Sequence, residues 1–355
     1  MKRLVLAYSG DLASAVALSW LRQQPDTEVA TVTLDLGQGP DLAVVREQAL
    51  ALGAVRAHVI DAREQFAASF LLPALQAGAF AADATSSVAI ARALVASRLV
   101  DIARMESARA VAHASARGSV NGPILDTVIG SLDPGLEIIV PARAANFSDD
   151  DMVAYARQAG IHVPPPDPTW VDANLWTRTI GLPRNTEPHE EDYLLTRSAE
   201  DAPESAAWLD LEFAAGVPVR TNGVEMSFIE LVESVETIAG AHGIGRRRAA
   251  DGSSMIEAPA ATVLATAHAA LEWATLGPDI TGMKGAMSLA YVHHVKGGRW
   301  FADPKLAIDA FVAITQKRVT GTVRLRLLKG ECQVVECGSP SDVRPRAARS
   351  PEAVA

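Results

Sequence analysis

From Lys2 to about Val140 short β-rich runs alternate with amphipathic helical patterns, and this alternation restricts the first half of the chain to a largely parallel sheet covered on both faces by helices. The runs are Leu4 to Tyr8, Val29 to Leu34, Val55 to Ile60, Ala110 to Ala112 and Glu137 to Val140. Between them Leu12 to Leu21 and Leu42 to Leu52 carry apolar residues at helical spacing, and Val88 to Ala103 reads as a longer helix bearing Arg92 and Arg98. The expected class is α/β, a doubly wound, mostly parallel sheet, with a second α+β domain after it.

The run Val163-Pro164-Pro165-Pro166-Asp167-Pro168 can continue neither a helix nor a central strand, so it reads as the link between domains at 1–163 and 168–340. In the second, Trp208 to Phe213 and Val217 to Arg220 read as strands, with Asn222-Gly223 as a hairpin signal. Ser227 and Glu230 form a capping box for a helix through Val232, Val235 and Ile238. Helices are also expected over Ala258 to Thr275 and Leu306 to Gln316, and a strand along Val319, Gly321, Val323, Leu325 and Leu327. Residues 341–355 read as a disordered tail.

With 49% hydrophobic and 21% charged residues, the 355-residue chain has ample material for a core. Its net charge of −10 offers no general attraction to phosphate backbones or anionic lipid, which speaks against nucleic acid and membrane as partners. Cys332 and Cys337 are too few for a disulfide framework or a four-cysteine zinc site and read as reduced structural thiols. The apolar run Leu4 to Tyr8 is too short for a secretory signal, so a cytoplasmic location is expected.

The segment Ala7-Tyr8-Ser9-Gly10-Asp11-Leu12-Ala13-Ser14 is the first strand-to-helix turn, where a helix N-terminus presents unpaired amides and positive potential to a ligand. Ser9 and Ser14 add hydroxyls, and Gly10 lets a phosphate approach the backbone. Neither the Walker lysine nor the spaced dinucleotide glycines are present. Turns of this kind also occur in α/β proteins that bind nothing there.

Val5 to Ala15 resembles the pyrophosphate-binding loop of argininosuccinate synthases, A-Y-S-G-G-L-D-T-S, in the N-type ATP pyrophosphatase group. Matching segments follow in order at Val32 to Gln38, Val44 to Phe66, Asn174 to Trp176, Ile238 to Arg246, Ile256 to Leu264 and Thr315 to Val323. The resemblance implies an ATP-dependent ligase, assisted by Mg²⁺, that adenylates the ureido oxygen of citrulline and lets the amine of aspartate displace AMP. It implies nucleotide contacts at Ala7, Tyr8, Ser9, Gly10, Asp11, Leu12, Ser14, Leu34 and His113, and amino-acid substrate contacts at Arg92, Asn121 and Thr179, with no protein-only metal site. It also implies a homo-oligomer. The family's C-terminal extension has no counterpart after Ser339-Pro340, so a tetramer is not expected and a dimer through the second domain stays open.

The sequence departs from the family pattern where the chemistry is done. In the first loop the second glycine is Asp11, the aspartate is Ala13 and the last serine is Ala15. A carboxylate at position 11 is expected to face triphosphate and repel it unless a metal intervenes. In the second loop, His113 to Ile124, the threonine and the Asn-Asp pair fall on Ala116, Val120 and Asn121, and the arginine for the citrulline carboxylate falls on Ile124. Ala84 and Val88 replace a tyrosine and a small hydroxyl residue ahead of Arg92, Trp170 replaces a serine, Thr179 keeps its hydroxyl, and Ile256 replaces a tyrosine. Two functions are therefore carried forward: a ligase of this type with altered or reduced activity, and a non-catalytic paralogue acting as a binding or regulatory protein. His293-His294, His189-Glu190-Glu191-Asp192 and Arg246-Arg247-Arg248 read, in turn, as surface or core histidines, a solvated acidic loop and the cap of a shortened hairpin.

Overall fold

The computed structural model describes residues 2–39, 41–116, 119–162, 170–183 and 186–338; the proline-rich link and the C-terminal tail lie outside them. Five strands, β1 (Lys2–Ala7), β2 (Thr27–Asp35), β3 (Arg56–Asp61), β4 (Ala110–His113) and β5 (Glu137–Ile139), form one all-parallel sheet in the order β3-β2-β1-β4-β5. Burial on both faces explains why the central strand reads as a continuous apolar run: Leu4, Val5 and Leu6 are all buried. Helices α1 (Leu12–Arg22), α2 (Leu42–Ala51), α3 (Ser86–Met105), α4 (Asn121–Leu132) and α5 (Asp149–Gln158) connect or follow these strands.

The chain order reverses between β1 and β4, so the loops leaving these neighbouring strands diverge and open a crevice at their C-terminal ends.

Two antiparallel sheets follow. Strands β6 (Trp170–Ala173) and β7 (Arg178–Gly181) belong to one; β8 (Ala207–Ala214), β9 (Val217–Thr221) and β10 (Val224–Glu225) belong to the other. The first is completed by β11 (Arg246–Arg248) and β12 (Ser254–Glu257) in the order β11-β12-β7-β6. The second is completed by β13 (Gly321–Leu328) and β14 (Glu331–Gly338) in the order β10-β9-β8-β13-β14. Asn222 and Gly223 join β9 to β10 with φ of 50° and 80°, the two left-handed positions that a tight hairpin of this twist requires. The Ser227/Glu230 capping box opens α6 (Phe228–Ala241), with Glu230 N donating to Ser227 Oγ at 3.3 Å and Ser227 N to Glu230 Oε2 at 2.8 Å. Helix α7 (Pro259–Thr275) packs on β13, whose Val323, Leu325 and Leu327 point inward in strict alternation.

A 19-residue helix, α8 (Pro278–Lys296), stands where the sequence pattern gives no element. Its buried residues are Lys284, Tyr291, Val292 and Val295, too few and too polar to form an apolar stripe. Polar contacts anchor it instead: Lys284 Nζ lies 2.5 Å from Glu272 Oε1 and 2.5 Å from the Gln76 carbonyl, and Gln316, in α9 (Asp303–Gln316), donates to Glu272 Oε1 at 2.6 Å. Burial holds the Lys284 ammonium below the usual lysine range against the pull of Glu272. Arg246-Arg247-Arg248, rather than capping a hairpin, are themselves the strand β11, paired with Met255 to Glu257.

Glu236, on α6, carries a pH dependence. Burial, with Glu233 and Glu257 nearby, pushes its carboxyl up to about 7. A carboxyl raised on folding contributes stability at low pH, and that contribution is lost as pH climbs from the ordinary range of about 4.3 through 7. Glu236→Gln is therefore expected to match the parent near pH 4 and to be the more stable of the two at pH 8. Urea midpoints at the two pH values check this, and equal differences at both would count against it.

Candidate functional site

The crevice between β1 and β4 is built by two loops. In the first, Tyr8 N donates to Val32 O at 2.9 Å and Thr33 Oγ1 to Tyr8 O at 2.8 Å, which fixes the strand end. Gly10 then turns with φ +83°, and a side chain there would meet Gln48 Oε1 at 3.1 Å and Val45 at 3.2 Å, so both conformation and space call for glycine. The Tyr8 hydroxyl is buried without a partner among the described residues, and burial, helped by the Asp11 charge, pushes its pKa up.

Asp11 is the N-cap of α1. Its Oδ1 accepts from Ser14 N at 2.7 Å, and its carbonyl accepts from Ala15 N at 3.0 Å. Ser14 Oγ accepts from Gly10 N at 3.1 Å and lies 3.3 Å from Ser9 Oγ. The loop therefore satisfies its own Gly10 and Ser14 amides, leaving those of Leu12 and Ala13 without a hydrogen bond among the described residues. The carboxylate does not stand off from the helix end as a repelling charge with nothing to do. It occupies a donor position that an anion would use.

In the second loop, Ala7 pairs with His113 across β1 and β4, so the two loops start side by side. His113 is buried; Ser115 N donates to its Nδ1 at 3.4 Å, which leaves the proton on Nε2 to be donated to Asp126 Oδ1 at 2.9 Å. Desolvation holds His113 below its ordinary pKa against Asp126, and Arg143 donates to the second Asp126 oxygen at 2.6 Å. Both ring nitrogens are thereby engaged. Beside this chain of contacts lies a cavity of about 610 Å³ lined by Ser115, Ser119, Val120, Gly122, Arg143 and Asn146. Asn121, at the start of α4, has its Oδ1 buried without a partner among the described residues.

The remaining positions gather on a different surface. Leu175 N donates to Leu36 O at 2.7 Å and Ser87 Oγ lies 2.8 Å from Thr177 Oγ1, so the β6–β7 turn is tied both to the end of β2 and to the start of α3. Arg92 on α3 is ion-paired with Asp172 on β6. Thr179 on β7 is buried and its hydroxyl has no partner among the described residues. Leu34 and Ile124 lie in the hydrophobic core, and Leu12 packs against Ala15, Val16 and their neighbours, so their side chains face protein.

Spacing gave no clue to Asp126, Arg143 and Asp172, because each meets its partner only through the fold. The N-cap role of Asp11 did have a signal, an aspartate three residues before Ser14 at the head of an apolar helix. No group of three or more His, Cys, Asp or Glu able to hold a metal occurs among the described residues. The His293 and His294 rings meet edge to face near the end of α8, and Glu190 pairs with Arg246 at 2.5 Å, so the acidic run is partly neutralised.

The family model described as "Arginosuccinate synthase N-terminal HUP domain" matches residues 3–162, and that of the "Arginosuccinate synthase C-terminal domain" matches residues 170–347. An argininosuccinate synthase of Desulfitobacterium hafniense is 38% identical over 357 residues, covering 96% of this chain and 88% of its own length. That of Bacillus mycoides is 37% identical, covering 94% and 86%, and that of Symbiobacterium thermophilum 37%, covering 96% and 88%.

Proposed function

Since this chain belongs to the argininosuccinate synthase family, we propose that it is an ATP-dependent carbon–nitrogen ligase that takes the phosphates of ATP at the β1–α1 loop and acts on an altered acceptor and amine pair. The observation that carries this reading is the crevice itself, where the amides of Leu12 and Ala13 have no hydrogen bond among the described residues at a helix N-terminus. In this reading Ala7, Tyr8, Ser9, Gly10, Leu12 and Ser14 surround the phosphates, with the His113 loop on the other wall. Asp11 is the residue able to reach a Mg²⁺ carried in by the nucleotide, since Mg²⁺ is commonly held by phosphates and one or two carboxylates. That ion would supply neutralisation of charge at the phosphates.

The substrate wall supports the altered pair. A guanidinium already matched by Asp172 has little left for a substrate carboxylate, and the buried aliphatic Ile124 has no charge to give. In this reading Arg92, Asn121 and Thr179 still border the citrulline-like and aspartate-like substrates. The self-satisfied loop around Asp11 favours a second reading, a paralogue that keeps the fold as a binding or regulatory protein.

Nucleotide binding separates them. Millimolar ATP with Mg²⁺ is expected to raise the thermal midpoint of the full chain, since a ligand at about 100 times its dissociation constant stabilises by roughly 2.7 kcal/mol. An unchanged midpoint would move the weight to the second reading.

A further inference from the structure

One carboxylate joins the end of β4 to two helices. Asp126 on α4 accepts the Nε2 proton of His113 on Oδ1 at 2.9 Å and an Arg143 Nη2 proton on Oδ2 at 2.6 Å. Arg143 belongs to the short helix Pro141–Ala144 that follows β5. On the other side of the ring, Ser115 N donates to Nδ1 at 3.4 Å. A Cβ on Gly122 would lie 3.7 Å from His113 Cε1 and 3.3 Å from Ser115 Cβ, so the first turn of α4 rests directly on the ring and on the turn beyond it. The ring is 1% exposed, and enclosure keeps each nitrogen with the partner it has.

The members of this chain differ in freedom. The Arg143 guanidinium and the Ser115 amide can only donate, a carboxylate accepts on both oxygens, and a neutral imidazole donates from one nitrogen while accepting on the other. With a carboxylate in the middle, every contact pairs a donor with an acceptor. A side-chain amide in its place would have to point its NH₂ at Arg143, donor against donor, or at His113. Arg143 cannot change its role, so the histidine would change instead, moving its proton to Nδ1 against the Ser115 N–H. The fixed donor at one end of the chain thereby dictates the tautomer at the other.

We infer that Asp126, oriented by Arg143, is a positioning residue for the second wall of the crevice: it keeps His113 in the Nε2–H tautomer, and that tautomer holds the Ser115 turn beside the β1–α1 loop. Burial, which disfavours the charged ring, supports the neutral form. Ala7 and His113 are register partners, so a Ser115 turn released from the ring loosens the wall across from the phosphates. Asp126 acts through the ring and not on a ligand. The consequence for nucleotide rests on the ligase reading, whereas the tautomer and the order of the turn do not.

The test uses the full chain and begins without nucleotide. Ring nitrogen NMR shifts, assigned to His113 by comparison with His113→Gln, are expected to show the proton on Nε2 in the parent and on Nδ1 in Asp126→Asn, with faster exchange of the Ser115 amide in that variant. Arg143→Ala alone keeps the carboxylate and with it the Nε2–H form. Adding Arg143→Ala to Asp126→Asn frees the amide oxygen to face His113, so the double variant should return to the Nε2–H form, where a merely structural ion pair would show two losses that accumulate. The Arg143 and Asp126 side chains are 52% and 28% exposed, so these variants are expected to fold. Calorimetry with ATP and Mg²⁺ should follow the same order, with binding about tenfold weaker in Asp126→Asn, the fold-change for one lost hydrogen bond, and recovered in the double variant. A parent with its proton on Nδ1, an Asp126→Asn chain that keeps the Nε2–H form, a double variant that does not return, or ATP affinity indifferent to the tautomer would each overturn the assignment. If no chain binds ATP, the ligase reading falls, and the ring shifts and the Ser115 exchange still decide for or against Asp126.

Discussion

Replacing Glu257 with alanine is expected to cost the protein about 3–5 kcal/mol of stability, the range for stripping one partner from a buried ion pair. Glu257 is fully buried at the end of β12 and its carboxylate is saturated. Oε1 accepts from Leu195 N at 2.8 Å, Thr196 N at 3.0 Å and Thr196 Oγ1 at 2.9 Å; Oε2 accepts from Arg178 Nη1 at 2.7 Å and Leu194 N at 3.1 Å. Truncation would orphan three backbone amides and leave the largely buried Arg178 guanidinium without its counter-charge. Glu257→Gln keeps the shape, loses the charge and turns one acceptor into a donor aimed at donors, so an intermediate loss is expected. Urea unfolding measures both. A loss below about 1 kcal/mol for the alanine variant, the worth of an ordinary hydrogen bond, would contradict this account. The effect reaches the pairing of β12 with its neighbour β7, where Ile256 stands opposite Thr179.

The second large effect is expected from Asp11→Gly. The Asp11 carboxylate now accepts from Ser14 N at 2.7 Å, so the substitution frees that amide and removes a negative charge from the head of α1. Two unit charges about 4 Å apart at an effective dielectric of 20 interact by about 4 kcal/mol, and a triphosphate brings several. A gain in ATP affinity of at least tenfold is therefore expected in low Mg²⁺, shrinking as Mg²⁺ bridges the carboxylate and the phosphates in the parent. Exchange of an aspartate N-cap for glycine costs only a few tenths of a kcal/mol, so folding survives the change. Equal affinities at low Mg²⁺, read by calorimetry, would show that the carboxylate does not oppose the nucleotide.

Local pattern made the parallel sheet legible, because strands buried on both faces read as apolar runs and the helices between them carry their own periodicity. Asn222-Gly223 and the Ser227/Glu230 box were legible for the same reason, each being complete within a few residues. Helix α8 was not, since Lys284 and Ser288 anchor it by hydrogen bonds to the Gln76 and Ala77 carbonyls some two hundred residues earlier, and such contacts leave no period. The site divides in the same way. The β1–α1 turn and its substitutions could be found along the chain, whereas the capture of Arg92 by Asp172, of His113 by Asp126 and of Glu257 by the 194–196 amides exists only once distant segments meet. The direction of Asp11 depended on the cap geometry. Whether its carboxylate faces the phosphates or turns away was open along the sequence, and in the fold it accepts from Ser14 N at the head of its own helix.

The chain is expected to cleave ATP between its α- and β-phosphates on behalf of an acceptor. Parallel incubations of the full chain with α-labelled and γ-labelled ATP, Mg²⁺ and a panel of ureido acids and amines, with the labelled products resolved by chromatography, are the test. AMP and pyrophosphate are expected in equal amounts, formed only when an acceptor is present. ADP as the product, or no cleavage across the panel while ATP demonstrably binds, would contradict it.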